Sequence, residues 1–265
     1  MHPPPLPQKD EESCPLLKTE DEVIVPNKVV KKEKSEHNRL NEVQGLRGVA
    51  ILAVLLFHLW PNKFKAGYLG VDVFFVISGY LMCMLLSRHK PLQLSATTDF
   101  YFRRLKRIFP TYLFCIWMVL FVALFVLSPT DYTKLLEEAK KPLMLIANWP
   151  TEKNEDYFNQ NQGYYSFFVH LWSLSCELQF YLFVPFITFI LHRCQLSSQI
   201  AFICTLAAIS ITIQLNSKKD YEHMGLAGRV WQFMFGFLAH YLEETSWMKQ
   251  KEKLCAIYEN STKTN

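Results

Sequence analysis

The chain has 265 residues, of which half are hydrophobic, 15% aromatic and 20% charged, and its formal net charge is +4. The apolar residues concentrate between about residues 40 and 242, which excludes an ordinary water-soluble globule and a chain disordered throughout. Seven cysteines, an odd number lying mostly in apolar runs, argue against a disulfide scaffold; no metal-ligand cluster, Gly-rich phosphate loop or nucleic-acid module is visible.

Residues 1–39 combine Pro3, Pro4, Pro5 and Pro7 with a mixed-charge run at 28–36. Such a stretch buries too little apolar surface to offset chain entropy, so a disordered tail is expected there. It lacks the apolar core of a cleavable signal peptide, and the first hydrophobic helix is expected to act as the targeting signal. Crossing a bilayer takes roughly 17–25 apolar residues. Six segments qualify as predicted spans: about 43–60, 68–87, 110–128, 167–191, 197–215 and 229–242, the last being short. The run 142–149 is shorter still and reads as interfacial or re-entrant, with a seventh span as the alternative. The fold class is therefore all-α, a polytopic transmembrane bundle occupying residues 40–242, with a polar tail at 243–265. Without an internal repeat, a transporter built from paired halves is disfavoured.

Lys and Arg near the span ends set the topology. Lys28, Lys31, Lys32, Lys34 and Arg39 precede the first span, and Arg88, Lys90, Arg103, Arg104, Lys106 and Arg107 lie between the second and third. The loop 61–67 carries only Lys63 and Lys65, and 129–166 is rich in acids, among them Asp131, Glu137, Glu138, Glu152, Glu155 and Asp156. Both termini are thus expected in the cytosol, which would leave the sequon Asn260-Ser261-Thr262 unmodified.

Charge inside a bilayer is costly, so each ionisable residue on a span is a functional candidate. Arg47 and His58 lie eleven positions apart on the first span, on one helical face and separated by roughly 16 Å. Arg47 either snorkels to the interface or binds a ligand; His58 either marks the helix end or works as a base. Asp72 opens the second span, and the short connection predicts that it meets His58, orienting the imidazole as a general base; capping its own helix is the alternative. On the fourth span Ser173 and Glu177 share a face. Glu177 must point inward, towards His58 or towards Arg229 on the last span, where a purely structural Glu–Arg pair is the plain reading. Arg103, Arg104 and Arg107 form a basic cluster that suits a topogenic stop, anionic lipid or a phosphorylated ligand. Cys83, Cys115, Cys176 and Cys204 read as small core residues.

Four segments in order resemble the integral-membrane acyltransferase 3 family, which includes bacterial polysaccharide O-acetyltransferases and the nematode nose-resistant-to-fluoxetine-like proteins. They are Gly45-Leu46-Arg47-Gly48 with His58; Gly70-Val71-Asp72 through Ser78-Gly79-Tyr80; Arg103-Arg104 through Arg107-Ile108-Phe109-Pro110; and His170-Leu171-Trp172-Ser173-Leu174-Ser175-Cys176-Glu177 through Gln179-Phe180-Tyr181. Arg229 through Gly236 is similar to a fifth element, with Gln232 where an acid is common. The resemblance covers roughly residues 40–242. It departs at the C-terminus, with about six spans against the family's about ten, and so looks like a truncated relative.

The resemblance implies transfer of an acyl group, often acetyl, from cytosolic acyl-CoA to a hydroxyl of a carbohydrate or lipid-like acceptor. Acyl-CoA would be a substrate; no resident cofactor or metal is implied. Arg47, Arg103, Arg104 and Arg107 would hold the CoA phosphates. His58, oriented by Asp72 or Glu177, would be the base. Ser173 or Ser175 would orient substrate or polarise the thioester carbonyl, and Arg229 joins the substrate-binding set. The competing expectations are a non-catalytic relative that binds lipid or a partner, and a proton-coupled carrier using His58, Asp72 and Glu177.

Overall fold

The computed structural model describes residues 17–19, 22–25, 28–87, 94–149, 167–217 and 224–263. Arg88, Lys90, Glu152, Glu155 and Asp156, which entered the topology argument, lie outside the described residues, as do Pro3, Pro4, Pro5 and Pro7. The chain divides into two units: residues 50–240, and residues 1–49 together with 241–265.

In the second of these, the segment predicted as a tail carries three short strands, β1 (Leu17–Thr19), β2 (Glu22–Val25) and β3 (Lys28–Lys31). They pair antiparallel in the order β1-β2-β3, with Val23 opposite Val30 and Val25 opposite Lys28. Val23, Ile24, Val25, Val29 and Val30 are β-branched strand formers, a local signal that the charge-based reading of 1–39 passed over. α1 (Lys32–Leu59) follows directly.

Every described element after Lys31 is helical. The order is α1, a 3-10 turn at Lys65–Tyr68, α2 (Leu69–Ser87), α3 (Leu94–Val126), α4 (Pro129–Leu143), a 3-10 turn at Val169–Leu171, α5 (Trp172–His192), α6 (Leu196–Asn216) and α7 (Leu226–Lys263). Among the described residues, five segments are long and apolar enough to cross a membrane: Asn41–Leu59, Lys65–Ser87, Thr97–Val126, Trp172–His192 and Leu196–Asn216. The protein is thus a multi-pass, all-α membrane protein. The short predicted span 229–242 is the first part of the much longer α7.

Small residues let the helices of the 50–240 unit close on one another. A Cβ at Gly70 would run into the Ala50 carbonyl and Val54, and one at Gly67 into the Ala53 carbonyl and Phe57, so α2 lies directly on α1. At the α2–α7 crossing a Cβ on Gly79 would overlap the Phe233 backbone, and one on Gly236 the backbone of Val76 and Tyr80. Around this crossing Phe233 stacks on Phe180 of α5 with centroids 4.0 Å apart, and lies 4.9 Å from Phe75 of α2. Ser210 ties α6 to α7, donating to the Ala227 carbonyl at 2.7 Å and accepting from the Trp231 amide at 3.0 Å.

α3 differs from the predicted 110–128 span. It runs unbroken through Pro110, so the Arg103–Arg107 cluster and the apolar run belong to one helix. Tyr101 donates to the Leu182 carbonyl at 3.0 Å, whereas Tyr112 lies 3.4 Å from Ser175 Oγ. The two helices therefore run antiparallel and obliquely. α4 folds back along α3, capped by Ser128, whose hydroxyl accepts from the Asp131 amide and donates to its carboxylate. Leu135 and Ala139 pack on Tyr112, Ile116 and Ala123. The run 142–149 is neither a span nor a helix beyond Leu143: it turns, with Leu145 in the left-handed region at φ 59°. Gln179 holds this turn by donating to the Leu145 carbonyl at 2.7 Å and exchanging two amide hydrogen bonds with Asn148. Cys83 and Cys176 are buried as expected. Cys115 and Cys204 instead lie on exposed helix surface, since few residues of the α3 and α6 spans are buried.

Gly79→Ala and Gly236→Ala should each destabilise the purified protein by about 1–3 kcal/mol or more through overpacking. Gly45→Ala and Gly48→Ala, whose Cβ would meet nothing within 4 Å, should be neutral or stabilising by about 0.5–1 kcal/mol. Thermal unfolding in detergent compares the two pairs.

Candidate active site

Two layers of paired polar side chains lie among the helices of the 50–240 unit. The first lies where α2, α5 and α7 begin. Asp72, in the first turn of α2, accepts at Oδ1 from Arg229 Nη1 at 2.8 Å and from Gln232 Nε2 at 3.0 Å. Arg229 and Gln232 stand three apart on α7 and so share a face. The Arg229 guanidinium also lies 5.3 Å over the Trp172 ring, the first residue of α5. Both members of the ion pair are mostly shielded, with side chains 15% and 22% exposed. A carboxylate can only accept, so the Gln232 amide must turn its NH2 towards Asp72.

His58 occupies the last turn of α1 and His170 the 3-10 turn just before Trp172. Their rings meet edge to face with centroids 5.0 Å apart. His58 Nδ1 lies 2.7 Å from the Val54 carbonyl oxygen. A carbonyl cannot donate, so Nδ1 carries the hydrogen and the neutral ring presents Nε2 as a proton acceptor. Burial, and then the charge that His58 can carry, hold His170 below the ordinary imidazole range.

The second layer lies about one and a half turns further along α2, where Ser78 stands six residues beyond Asp72, a rise of roughly 9 Å. Glu177 Oε1 accepts from the Ser78 hydroxyl across the α2–α5 contact and from Tyr181 Oη at 2.6 Å. The Arg104 guanidinium of α3 lies 5.7 Å over the Tyr181 ring and 6.0 Å over Phe100. Arg104 thus meets α5 near its middle, one turn from Glu177, while Arg103 and Arg107, four apart on α3, are exposed.

Other predicted site residues fall as follows. Ser175 is fully buried, beside a Tyr112 hydroxyl that donates to the Pro142 carbonyl at 2.8 Å. Ser173 is half-buried on the first turn of α5. Arg47, half-buried on α1, belongs to the other unit. Among the described residues, His58 donates to neither Asp72 nor Glu177: Asp72 is engaged by Arg229 and Gln232, and Glu177 by Ser78 and Tyr181. Sequence reasoning did not place His170 beside His58, nor Ser78 and Tyr181 on Glu177. Part of the signal was present: Tyr181 stands four residues after Glu177 on one face, and Ser78 is a small hydroxyl residue within an apolar run.

A family model described as an acyltransferase domain matches residues 40–256. The O-acetyltransferase OatA of Staphylococcus aureus (strain NCTC 8325 / PS 47) is 37% identical over 183 residues, 66% of this chain and 29% of that protein. A putative O-acetyltransferase of the same species (strain COL) is 36% identical over 149 residues, 55% of this chain and 24% of that protein. The chain thus spans less than a third of the length of these relatives. No solved structure matches it.

Removing one partner of the shielded pair leaves the other charge uncompensated, at a cost of about 3–5 kcal/mol. Arg229→Gln should therefore lower the unfolding temperature more than the double variant Asp72→Asn with Arg229→Gln. A thermal-unfolding double-mutant cycle in detergent measures this, with an expected coupling of about 1–3 kcal/mol.

Proposed function

The chain belongs to the integral-membrane acyltransferase family whose domain covers residues 40–256, and on that premise we propose that it moves an acetyl group from cytosolic acyl-CoA to a hydroxyl of a carbohydrate or lipid-like acceptor. The observation that carries the reading is His58: its Nδ1 is committed to the Val54 carbonyl, which fixes the tautomer with Nε2 presented. In the proposed reaction Nε2 takes the proton of the acceptor hydroxyl. The hydroxyl oxygen attacks the thioester carbonyl, the carbon–sulfur bond breaks, and the CoA thiolate takes the proton back from His58. His170, held below the ordinary imidazole range mainly by burial, packs edge to face against that ring.

In this reading the CoA phosphates bind Arg103 and Arg107, exposed on one face of α3, with Arg104 at the second layer. The acyl-bearing arm passes Glu177 on its way to His58, and Ser173 orients the reacting groups. The engagement of Arg229 with Asp72 and Trp172 favours a structural role for Arg229 over direct substrate binding. Both termini on the cytosolic side would put Arg103 and Arg107 where the donor is. The broad exposed apolar faces of α1 and α3 favour a second reading, a non-catalytic protein that binds lipid or a membrane partner.

In nanodiscs, the protein should transfer or hydrolyse labelled acetyl from acetyl-CoA. His58→Ala should lower turnover at least about 100-fold, the usual worth of a general base, without altering membrane insertion. Arg103→Ala with Arg107→Ala should raise KM for acetyl-CoA with little change in kcat. Undiminished turnover in the His58 variant contradicts the mechanism; absence of acetyl-CoA binding by the wild type supports the non-catalytic reading.

A further inference from the structure

Glu177 is held in an asymmetric way. Both of its hydrogen bonds, from the Ser78 hydroxyl on α2 and from Tyr181 Oη on α5, arrive at Oε1. Oε2 has no hydrogen-bond partner among the described residues, and Glu177 is only half-buried. Two donors from two helices leave the carboxyl a single orientation, because rotating it would break both bonds. The Tyr181 ring is itself fixed, buried at 3% exposure, with its edge against Phe100 and the Arg104 guanidinium over its face. The result is one carboxylate oxygen held immobile as an acceptor in the middle of an apolar bundle. Along α5 it lies between Tyr181, which Arg104 covers, and the Trp172 and His170 end. An acceptor placed there suits a ligand group that carries an N–H or O–H donor and has few other partners to find.

We propose that Glu177 Oε2 is a binding contact for the acyl donor, accepting a hydrogen bond from an amide N–H of its pantetheine arm, and that Ser78 and Tyr181 are positioning residues for it. The inference rests on the acyl-CoA reading above. The arm is the part of the donor that must pass between the basic cluster on α3 and His58, and its two amides are its N–H donors. A hydrogen bond from an N–H to a charged acceptor in such a site contributes more than its counterpart in water. This contact selects for an amide-bearing arm and does not itself take part in bond making.

The test is binding to the full chain in nanodiscs, by calorimetry, of two probes: coenzyme A, and adenosine 3′,5′-bisphosphate, which has the nucleotide phosphates but no pantetheine arm. Glu177→Gln keeps an oxygen for Ser78 and Tyr181 to donate to, and replaces Oε2 with an NH2 that cannot accept. It should weaken coenzyme A about 10-fold or more and leave the bisphosphate unchanged. Ser78→Ala and Tyr181→Phe should weaken coenzyme A by smaller factors, and Ser78→Thr should restore it. Unfolding temperatures establish that the variants fold.

Equal weakening of both probes would place Glu177 among the phosphate contacts and overturn the assignment. So would unchanged coenzyme A affinity accompanied by a raised KM for the acceptor, which would give Oε2 to the acceptor hydroxyl. Wild-type protein that binds the bisphosphate and coenzyme A equally also overturns it, without touching the nucleotide site. Wild-type protein that binds neither removes the acyl-CoA reading itself.

Discussion

The close crossing of α2 and α7 is the constraint on which the rest of the bundle depends. Gly79 and Gly236 each leave room for the other helix's backbone, and no larger residue could occupy either place without moving it. At that separation Phe233 reaches both Phe75 and Phe180 and joins α2, α5 and α7 in one aromatic cluster. The same approach sets the first turn of α2 against the start of α7, so that Asp72 receives Arg229 and Gln232 together. In lipid, where apolar contact with a neighbouring helix is little better than contact with an acyl chain, close packing and interhelical hydrogen bonds carry association.

The polar layers follow from a second rule, that a charged group inside an apolar bundle needs a partner. Asp72 and Arg229 satisfy each other, with Trp172 covering the guanidinium. Glu177 is satisfied by two hydroxyls. His58, exposed at the end of α1, instead donates to a carbonyl one turn back on its own helix. The proposed base and the proposed donor contact are thus held by different means: the imidazole by its own helix, the Glu177 carboxylate by two helices at once.

Much of this was legible in the sequence as an inventory. Hydropathy located the spans, and the rarity of charge in them singled out His58, Asp72, Glu177 and Arg229. What the sequence did not contain was pairing. Periodicity states which face of a helix a residue shares, not which neighbouring helix that face meets. The short loop between His58 and Asp72 suggested a dyad; the structure uses the same proximity to seat Gly67 and Gly70 on α1, and turns Asp72 towards α7. The apolar run alone placed the third span at about 110–128; the polar residues before Pro110 are themselves helix-compatible, and α3 runs through. The turn after α4 was not legible either, because it depends on Gln179 and Asn148, which lie 31 positions apart and meet through amide groups.

In the proposed reading the two polar layers are successive stations of a single acyl-donor path, with the basic cluster of α3 at one end and His58 at the other. A cryo-electron microscopy structure in nanodiscs with a non-hydrolysable acetyl-CoA analogue tests it directly. The expected result is ligand phosphates against Arg103 and Arg107, the arm alongside Glu177, and the acyl carbonyl within reach of His58 Nε2. A ligand whose phosphates lie at the Trp172 end of the bundle, or whose acyl group is remote from His58, would contradict it.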